Sequence, residues 1–364
     1  MVLSNVFERF AKGSPVTVMA RALMGRALEP RALDALFRKR AKRQYEKELL
    51  FSSLVDLMAL VVCGAHPSVR TAYQAMREQL PVTLTALYAK LNGVEVGTSE
   101  ALVADSAQGL RPVIEALGMP DSPWLPGYRV KALDGNHLAS TERRLGVLRG
   151  CAAGPLPGQS LVVLEPETGL VTQMVGCEDG HAQERSLFEP VLAAVQAKDV
   201  YIADRNFCTL GFLFGIAERE GFFVIRQHAR LPVVSEGTLR RRGRTDSGEV
   251  FEQTVTLRLG EQERVVRRIV LRLDSPTRDG DAEMSILTNL PSDTADAMTI
   301  AGLYRRRWTI GASSKGRITQ SVEVRPRPTD SRSRSVGGTV ARNQDGEALR
   351  QSLERRFAKL QVAA

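Results

Sequence analysis

The chain has 364 residues, of which 43% are hydrophobic, so it can bury one sizeable core and one or two smaller units. Its formal net charge of +9 favours a polyanionic partner such as nucleic acid, because Lys and Arg near phosphates release condensed counterions. The motifs GxGxxG, GxxxxGK[ST], GxSxG and HExxH do not occur. Their absence argues against the common dinucleotide-binding, P-loop, serine-hydrolase and zincin classes.

Residues 1–125 are predicted to form a helical N-terminal domain, because apolar residues recur at helical intervals in segments such as 50–62 and 82–91. Within this region, residues 38–43 (RKRAKR) could grip phosphates. A solvated helix face explains the same charges equally well. We therefore treat the helical domain as a candidate DNA-binding region.

The pattern changes to short apolar runs separated by turns over residues 126–230. Strands are predicted at residues 128–133, 161–164, 170–175, 200–203 and 222–226, and helices at 184–198 and 209–220. Three leading strands followed by alternating helices and strands indicate an α/β fold, with a mixed sheet and helices packed on it. That order is the order of the RNase H-like core.

Residues 231–292 are β-rich again and are predicted to form an inserted sheet, since apolar and polar residues alternate along two segments. The tip of this insertion, Arg240–Arg244, is either a solvated loop or a DNA contact. Residues 293–310 are predicted to begin the last helix of the core.

The composition shifts sharply near the C-terminus. Residues 304–364 contain 14 Lys and Arg residues against five Asp and Glu residues, so this segment carries a charge equal to that of the whole chain. Residues 311–348 contain no Leu, Phe, Tyr or Trp. Such a stretch cannot bury enough apolar surface to offset its ordering entropy, so 311–364 is predicted to be an aberrant, disordered basic tail.

Two aspartates stand out because each directly follows a predicted strand. Asp134 follows residues 128–133, and Asp204 follows residues 200–203. Carboxylates at strand ends can share a divalent cation that keeps open positions for phosphate. Taken singly, each aspartate is explained as well by a turn that ends its strand.

Tyr304 and Arg307 fit the first half of a spaced signature: Tyr, two residues, Arg, three residues, Glu, six residues, Lys. With this element, the segments 133–136 (LDGN) and 203–207 (ADRNF) and the β-rich insertion, the chain resembles the transposases of the insertion-sequence-four family. The matching pieces lie in the family's order and span most of residues 35–310.

The resemblance implies an RNase H-like domain whose DDE triad binds two Mg²⁺ or Mn²⁺ ions. Such an enzyme nicks transposon ends and joins the freed 3′-hydroxyl to target DNA, with a homodimer expected in the complex with double-stranded DNA. By matched position, Asp134 and Asp204 would be catalytic metal ligands. Tyr304 and Arg307 would lie beside the third ligand and contact DNA, since a guanidinium suits a forked contact to a phosphate.

The third carboxylate of the signature is missing. Gly311 stands where the family has Glu, and Ile318 stands where it has Lys. Glu323 is a poor substitute, because it lies twelve residues late and borders Pro326. We therefore expect a transposase that is inactive in this copy. The alternatives are a non-catalytic DNA-binding protein that inhibits intact transposase, and an unrelated Mg²⁺-dependent nuclease, which leaves the Tyr304/Arg307 spacing unexplained.

The chain has four cysteines, which are far apart: Cys63, Cys151, Cys177 and Cys208. They form no CxxC pair and no Cys/His cluster with zinc-site spacing, so reduced, structural cysteines are expected. The N-terminus has no signal-like pattern, and the longest apolar run, residues 49–63, is shorter than the roughly 20 residues of a membrane span. A cytoplasmic location without membrane association is the expectation.

The abrupt end of family-like sequence after Ile310 predicts a disrupted reading frame in the gene. An alternative frame of the coding DNA at this point should restore Ile followed by Glu. Sequencing the gene and its close relatives checks this, and an uninterrupted single frame in those relatives would contradict it.

Overall fold

The structure is a computed structural model. It describes residues 22–44, 46–116, 118, 123–137, 159–177, 184–277 and 280–307. These residues divide into two compact units, one with residues 22–94 and 105–118 and the other with 95–104 and 123–307. Gly311, Ile318 and the whole predicted tail lie outside the described residues.

The N-terminal part is helical, as predicted. Its helices are α1 (Pro30–Arg40), α2 (Phe51–Val62), α3 (Val69–Ala75), α4 (Leu84–Asn92) and α5 (Val96–Ala116), and residues 22–27 are helical too. Side-chain caps explain where three of them begin, because a side-chain oxygen accepts a backbone N–H of the first turn. These capping residues are Glu29 for α1, Ser68 for α3 and Thr83 for α4. Within the described ranges, no helix has both the length and the apolar character needed to cross a bilayer.

A buried aspartate joins α1 to α2. The Asp34 carboxylate accepts the backbone N–H of Ser52 at 2.8 Å and its hydroxyl at 3.0 Å. Beside it, the rings of Phe37 and Phe51 stack with centroids 4.9 Å apart. The basic residues 38–40 form the exposed last turn of α1, and Arg38 pairs with Glu46 at 2.8 Å. Both explanations of the basic stretch, a phosphate contact and a solvated face, therefore stay open.

Ten strands form a single mixed sheet in the second unit. They are β1 (Arg129–His137), β2 (Gln159–Glu165), β3 (Leu170–Cys177), β4 (Asp199–Ala203), β5 (Phe222–Arg226), β6 (Ser235–Glu236), β7 (Arg240–Thr245), β8 (Gly248–Leu259), β9 (Gln262–Leu273) and β10 (Glu283–Thr288). Their order is β3-β2-β1-β4-β5-β10-β9-β8-β6, and β7 pairs with β8. Strands β1, β4 and β5 are parallel neighbours, and the other pairs are antiparallel. The mixed sheet, and the order in which its first five strands follow one another along the chain, are as predicted.

Each face of this sheet supports a core. Leu133, Tyr201 and Phe223 point to one face, where they pack with residues of α6 (Phe188–Ala193) and α7 (Leu210–Glu218). Val130, Val200 and Val224 point to the other face. There they pack with residues of α8, the helical segment 297–307. Side chains one position apart in a strand point to opposite faces, so the central strands are buried on both sides.

The helix predicted at 184–198 is shorter than expected. A 3₁₀ turn covers Glu184–Leu187, and α6 ends at Ala193. The chain must then turn into β4, and two features hold that turn: the Gln196 N–H donates to Asp199 Oδ2 at 2.9 Å, and Lys198 adopts a left-handed φ of 67°. The tight turn prevents the last predicted helical residues from continuing the helix.

The predicted β-rich insertion is present, but its strands form no sheet of their own. Strand β10 pairs with β5 through Ile286 opposite Arg226, so β6 to β10 extend the core sheet. Residues 240–245 are likewise strand β7 and not a loop tip. Three arginines of β7 have acidic partners within 3.0 Å: Arg241 with Glu249, Arg242 with Glu252, and Arg244 with Asp274. Cross-strand pairing and these ion pairs stabilise the extended form that the arginine-rich sequence did not reveal.

A buried ion-pair cluster lies between β1 and β4. Asp199, which is fully buried, accepts Arg129 Nε at 2.8 Å and Lys131 Nζ at 2.7 Å. Lys131 is itself buried, so both charges depend on one another. Because the cluster links the first residues of two parallel strands, it favours the register in which Arg129 lies opposite Asp199.

Replacement of Asp199 by Asn should therefore destabilise the fold by about 3 kcal/mol, because it leaves the buried Lys131 charge without its carboxylate. Chemical unfolding followed by circular dichroism measures the change. The matched control is Glu263→Gln, which breaks an exposed pair with Arg258 and should cost less than about 0.5 kcal/mol. Equal losses in the two variants would contradict the role assigned to the buried cluster.

Candidate active site

The two predicted aspartates lie on neighbouring parallel strands. The register of β1 and β4 pairs Arg129 with Asp199 and continues to Ala132 opposite Ile202, a constant offset of 70 residues. Two steps further, the same offset brings Asp134 beside Asp204, whose backbone is still extended. Adjacent strands are about 4.8 Å apart, so this register makes the two aspartates close neighbours.

Alternation along the strands puts both aspartates on the same face of the sheet. Val130 and Ile202 lie in the core against α8, and Asp134 and Asp204 are each an even number of residues further along their strands. The same rule applies to Arg226 on β5, two residues beyond Val224. The carboxyl ends of three parallel strands thus direct two carboxylates and one guanidinium to the α8 face.

The local geometry of each aspartate differs from the simple strand-end prediction. β1 continues three residues past Asp134, because β2 pairs with it up to His137 after β4 has ended. Asp204 does end its strand: its Oδ1 accepts the Asn206 N–H at 2.8 Å and caps a 3₁₀ turn. Both aspartates are half-buried. The turn explanation for Asp204 is therefore correct, and the turn leaves its second carboxylate oxygen available for another role.

Helix α8 brings Tyr304 and Arg307 to this face. Asp296 caps the helix by accepting the Thr299 N–H at 2.7 Å. Tyr304 is 2% exposed, and the Arg307 guanidinium lies 5.4 Å from the centroid of its ring. Burial raises the pKa of Tyr304, while Arg307 and Arg226 lower it and Asp204 raises it further. These influences show that the phenol lies in the same electrostatic neighbourhood as Asp204, Arg226 and Arg307.

Sequence reasoning missed Arg226 and its partner Asp281. Arg226 ends the apolar strand β5, much as Asp204 ends β4, so the same criterion would have selected it. Its guanidinium pairs with Asp281 on the connection between β9 and β10. Asp281 carries no comparable sequence signal, because its position beside the site depends on how β10 pairs with β5.

The residues present fit one divalent cation better than two. Mg²⁺ is commonly held by one or two carboxylates and completes its octahedron with water and phosphate oxygens, which Asp134 and Asp204 would allow. Among the residues that the structure describes, no group of three or more His, Cys, Asp or Glu side chains could hold a metal. A second ion would therefore need ligands from elsewhere.

Comparison with known proteins agrees with this geometry. A family model described as "Transposase DDE domain" matches residues 159–310. This segment of the chain is therefore similar to a transposase DDE domain. Its mixed sheet with flanking helices is the RNase H-like arrangement predicted from the element order. The matched segment contains Asp204, Tyr304 and Arg307, begins after Asp134 and ends one residue before Gly311.

The chain is also similar to a protein of Sinorhizobium fredii named "Putative transposase y4zB". The two are 29% identical over 179 residues, which is 48% of this chain and 48% of that protein. The chain thus spans about half the length of this relative. The match supports the transposase family and leaves the insertion-sequence-four grouping a prediction.

The burial of Tyr304 predicts a pH effect on stability. Burial favours the neutral phenol, so the pKa of Tyr304 is higher in the folded chain than in the unfolded chain. The stabilisation that the neutral phenol gives the fold is therefore complete below pH 10.0, the ordinary pKa, and is lost as the pH rises through the higher folded pKa. Tyr304→Phe should match the wild type near pH 8. Above pH 10 the wild type should lose up to about 1.4 kcal/mol per pH unit relative to the variant.

Unfolding titrations at several pH values measure this divergence. Tyr88→Phe is the control, since Tyr88 is 40% exposed. Parallel pH profiles for wild type and Tyr304→Phe would show that the phenol is not buried against the sheet.

Proposed function

We propose that this protein is a transposase that binds transposon-end DNA and that its domain is built for metal-dependent strand cleavage and strand transfer. One observation carries the proposal: Asp134 and Asp204 lie on neighbouring parallel strands and the same sheet face, against the helix that bears Tyr304 and Arg307. The DDE domain match supports it. Double-stranded DNA is the partner, and a homodimer is the proposed assembly on it.

Each residue has a proposed part in that chemistry. Asp134 and Asp204 would hold Mg²⁺ or Mn²⁺. When bound, such an ion supplies Lewis-acid activation of the attacking oxygen and stabilises the leaving oxygen. Arg307 would bind the non-bridging oxygens of the reacting phosphate with its guanidinium fork. Tyr304, expected from the sequence to contact DNA, would act instead by packing, because it is 2% exposed and its ring fixes the turn of α8 from which Arg307 extends.

We further propose that cleavage is strongly reduced in this copy. Glycine offers no side-chain oxygen, so at Gly311 a water would have to replace the third carboxylate. The end of the family match at residue 310 supports this view, as it supports the proposed frame disruption. The same glycine favours a second candidate function, a DNA-binding protein that occupies transposon ends or joins intact subunits as an inhibitor.

The proposed domain organisation follows from these roles. Residues 1–125 would bind DNA, 126–230 would form the catalytic core, and 231–292 would be an insertion in sequence that lengthens the core sheet. Residues 293–310 would start the core's last helix, and 311–364 would be the aberrant tail. The cytoplasm is the proposed location.

A cleavage assay on DNA carrying the transposon ends tests the proposal. With Mg²⁺ or Mn²⁺, the unmodified chain should bind the ends and leave both strands intact, because the third ligand is absent. Gly311→Glu should increase cleavage, and adding Asp204→Ala should remove that gain while affinity for DNA stays within about twofold. Gel separation of labelled strands gives cleavage, and fluorescence anisotropy gives binding.

Glu261→Ala, on the exposed turn between β8 and β9, controls for the loss of a carboxylate elsewhere. Cleavage by the unmodified chain that disappears in Asp204→Ala would show that this copy is active. Failure of every variant to bind the ends would overturn the proposed function.

A further inference from the structure

A cavity of about 390 Å³ opens beside the proposed site, at the carboxyl end of β5. Three arginines line it: Arg205, Arg226 and Arg268. Arg205 directly follows Asp204 in the sequence, so the cavity adjoins the carboxylate pair. We refer to it below as the arginine cavity. The chemistry proposed above for Arg307 makes no use of it.

The three arginines are not equivalent. Arg268 donates to Glu236 at 2.7 Å. Arg226, whose side chain is only 15% exposed, is paired with Asp281. Arg205 is exposed and has no ion pair within the described residues. The cavity therefore combines an exposed guanidinium that forms no ion pair within the described residues with a second, mostly buried one whose partner comes from the β9–β10 connection.

Hydrogen bonds to Thr277, and not burial, hold Asp281 in place. Its backbone N–H donates to the Thr277 hydroxyl at 3.1 Å, and its carbonyl accepts the Thr277 N–H at 2.9 Å. The Asp281 side chain is 32% exposed. Its hydrogen bond with Arg226 holds the pKa of the Asp281 carboxyl below its ordinary value, and the charges of Arg226 and Arg205 lower it further. Asp281 thus presents a charged, accessible carboxylate to the guanidinium.

We propose that the arginine cavity binds a second backbone phosphate of the DNA strand at the Asp134/Asp204 site, and that Asp281 occupies Arg226 until that phosphate displaces it. The inference rests on the proposed function, because DNA supplies the phosphate. A phosphodiester can displace the carboxylate for two reasons. It can accept from Arg205 and Arg226 together, and bidentate arginine contacts to phosphate are strong. The exchange also leaves the mostly buried Arg226 paired, because the phosphate takes the place of the carboxylate.

The occupant is a phosphodiester of a polymer and not a free phosphate, because Arg205 lines the cavity and directly follows Asp204 of the acidic pair. A strand bound to one would pass the other. Asp281 then works as an internal competitor, because it neutralises Arg226 in the unliganded protein. It thereby lowers the affinity for strands that do not occupy both the Asp134/Asp204 site and the arginine cavity.

Binding measurements on the full chain test this proposal with two probes, a 20-base-pair duplex of mixed sequence and inorganic pyrophosphate. Asp281→Asn removes the competing charge and should tighten binding of the duplex about three- to tenfold. Pyrophosphate should bind more tightly too, by a smaller factor. The matched control is Asp274→Asn, which removes the same charge from an ion pair with Arg244 that does not line the cavity. It should change either affinity less than about twofold.

Combining Asp281→Asn with Arg226→Gln should abolish the gain, because the competitor acts only through Arg226. If Arg226→Gln unfolds, as judged by circular dichroism, Arg226→Lys keeps the charge without the fork and should also abolish most of the gain. Equal gains in Asp281→Asn and Asp274→Asn, or a gain that survives loss of Arg226, would overturn the proposal.

The two probes separate this proposal from the proposed function. If no variant binds the duplex, the transposase proposal and the DNA occupant both fail, and a pyrophosphate response that still follows the predicted pattern would show a site for free anions only. If the wild type binds the duplex and Asp281→Asn leaves its affinity unchanged, the transposase proposal stands and the internal competitor is refuted.

Discussion

The register of three parallel strands is the constraint on which the site depends. A shift of one residue between β1 and β4 would turn one of the two aspartates to the opposite face, since side chains alternate along a strand. The fully buried Asp199 opposes such a shift, because it holds Arg129 and Lys131 at the start of both strands. The ion pairs at the amino ends of β1 and β4 therefore fix the relative positions of Asp134 and Asp204 at the carboxyl ends of these strands.

A second constraint fixes the helix above the carboxylates. The Arg267 guanidinium donates to the carbonyls of Leu290 and Ala295, at 2.9 and 2.7 Å, and Glu252 accepts its Nε at 2.6 Å. These bonds hold the segment that leads into α8. Tyr304 and its apolar neighbours on the helix then pack on the sheet, so the direction of Arg307 is set by burial on one side of the helix and by this anchor at its start.

The distribution of charge indicates which groups of the described core could bind DNA. In the part of the sheet from β6 to β10, most arginines have acidic partners, such as Arg258 with Glu263 and Arg272 with Glu283. The net positive charge of residues 304–364 equals that of the whole sequence. Affinity for DNA from the described core would therefore come from a few directed guanidinium groups at the site, and not from a general basic surface.

The sequence by itself determined the order of the elements and the identity of the two aspartates, because hydrophobic alternation and strand-end positions are local properties. Through the resemblance to the insertion-sequence-four transposases, it also singled out Tyr304, Arg307 and, at Gly311, the position of the missing carboxylate. It could not show that β6 to β10 continue the core sheet, that β7 is a strand, or that Asp281 reaches Arg226. Those features depend on which strands pair across long separations, and pairing is decided by packing and cross-strand contacts in the folded chain.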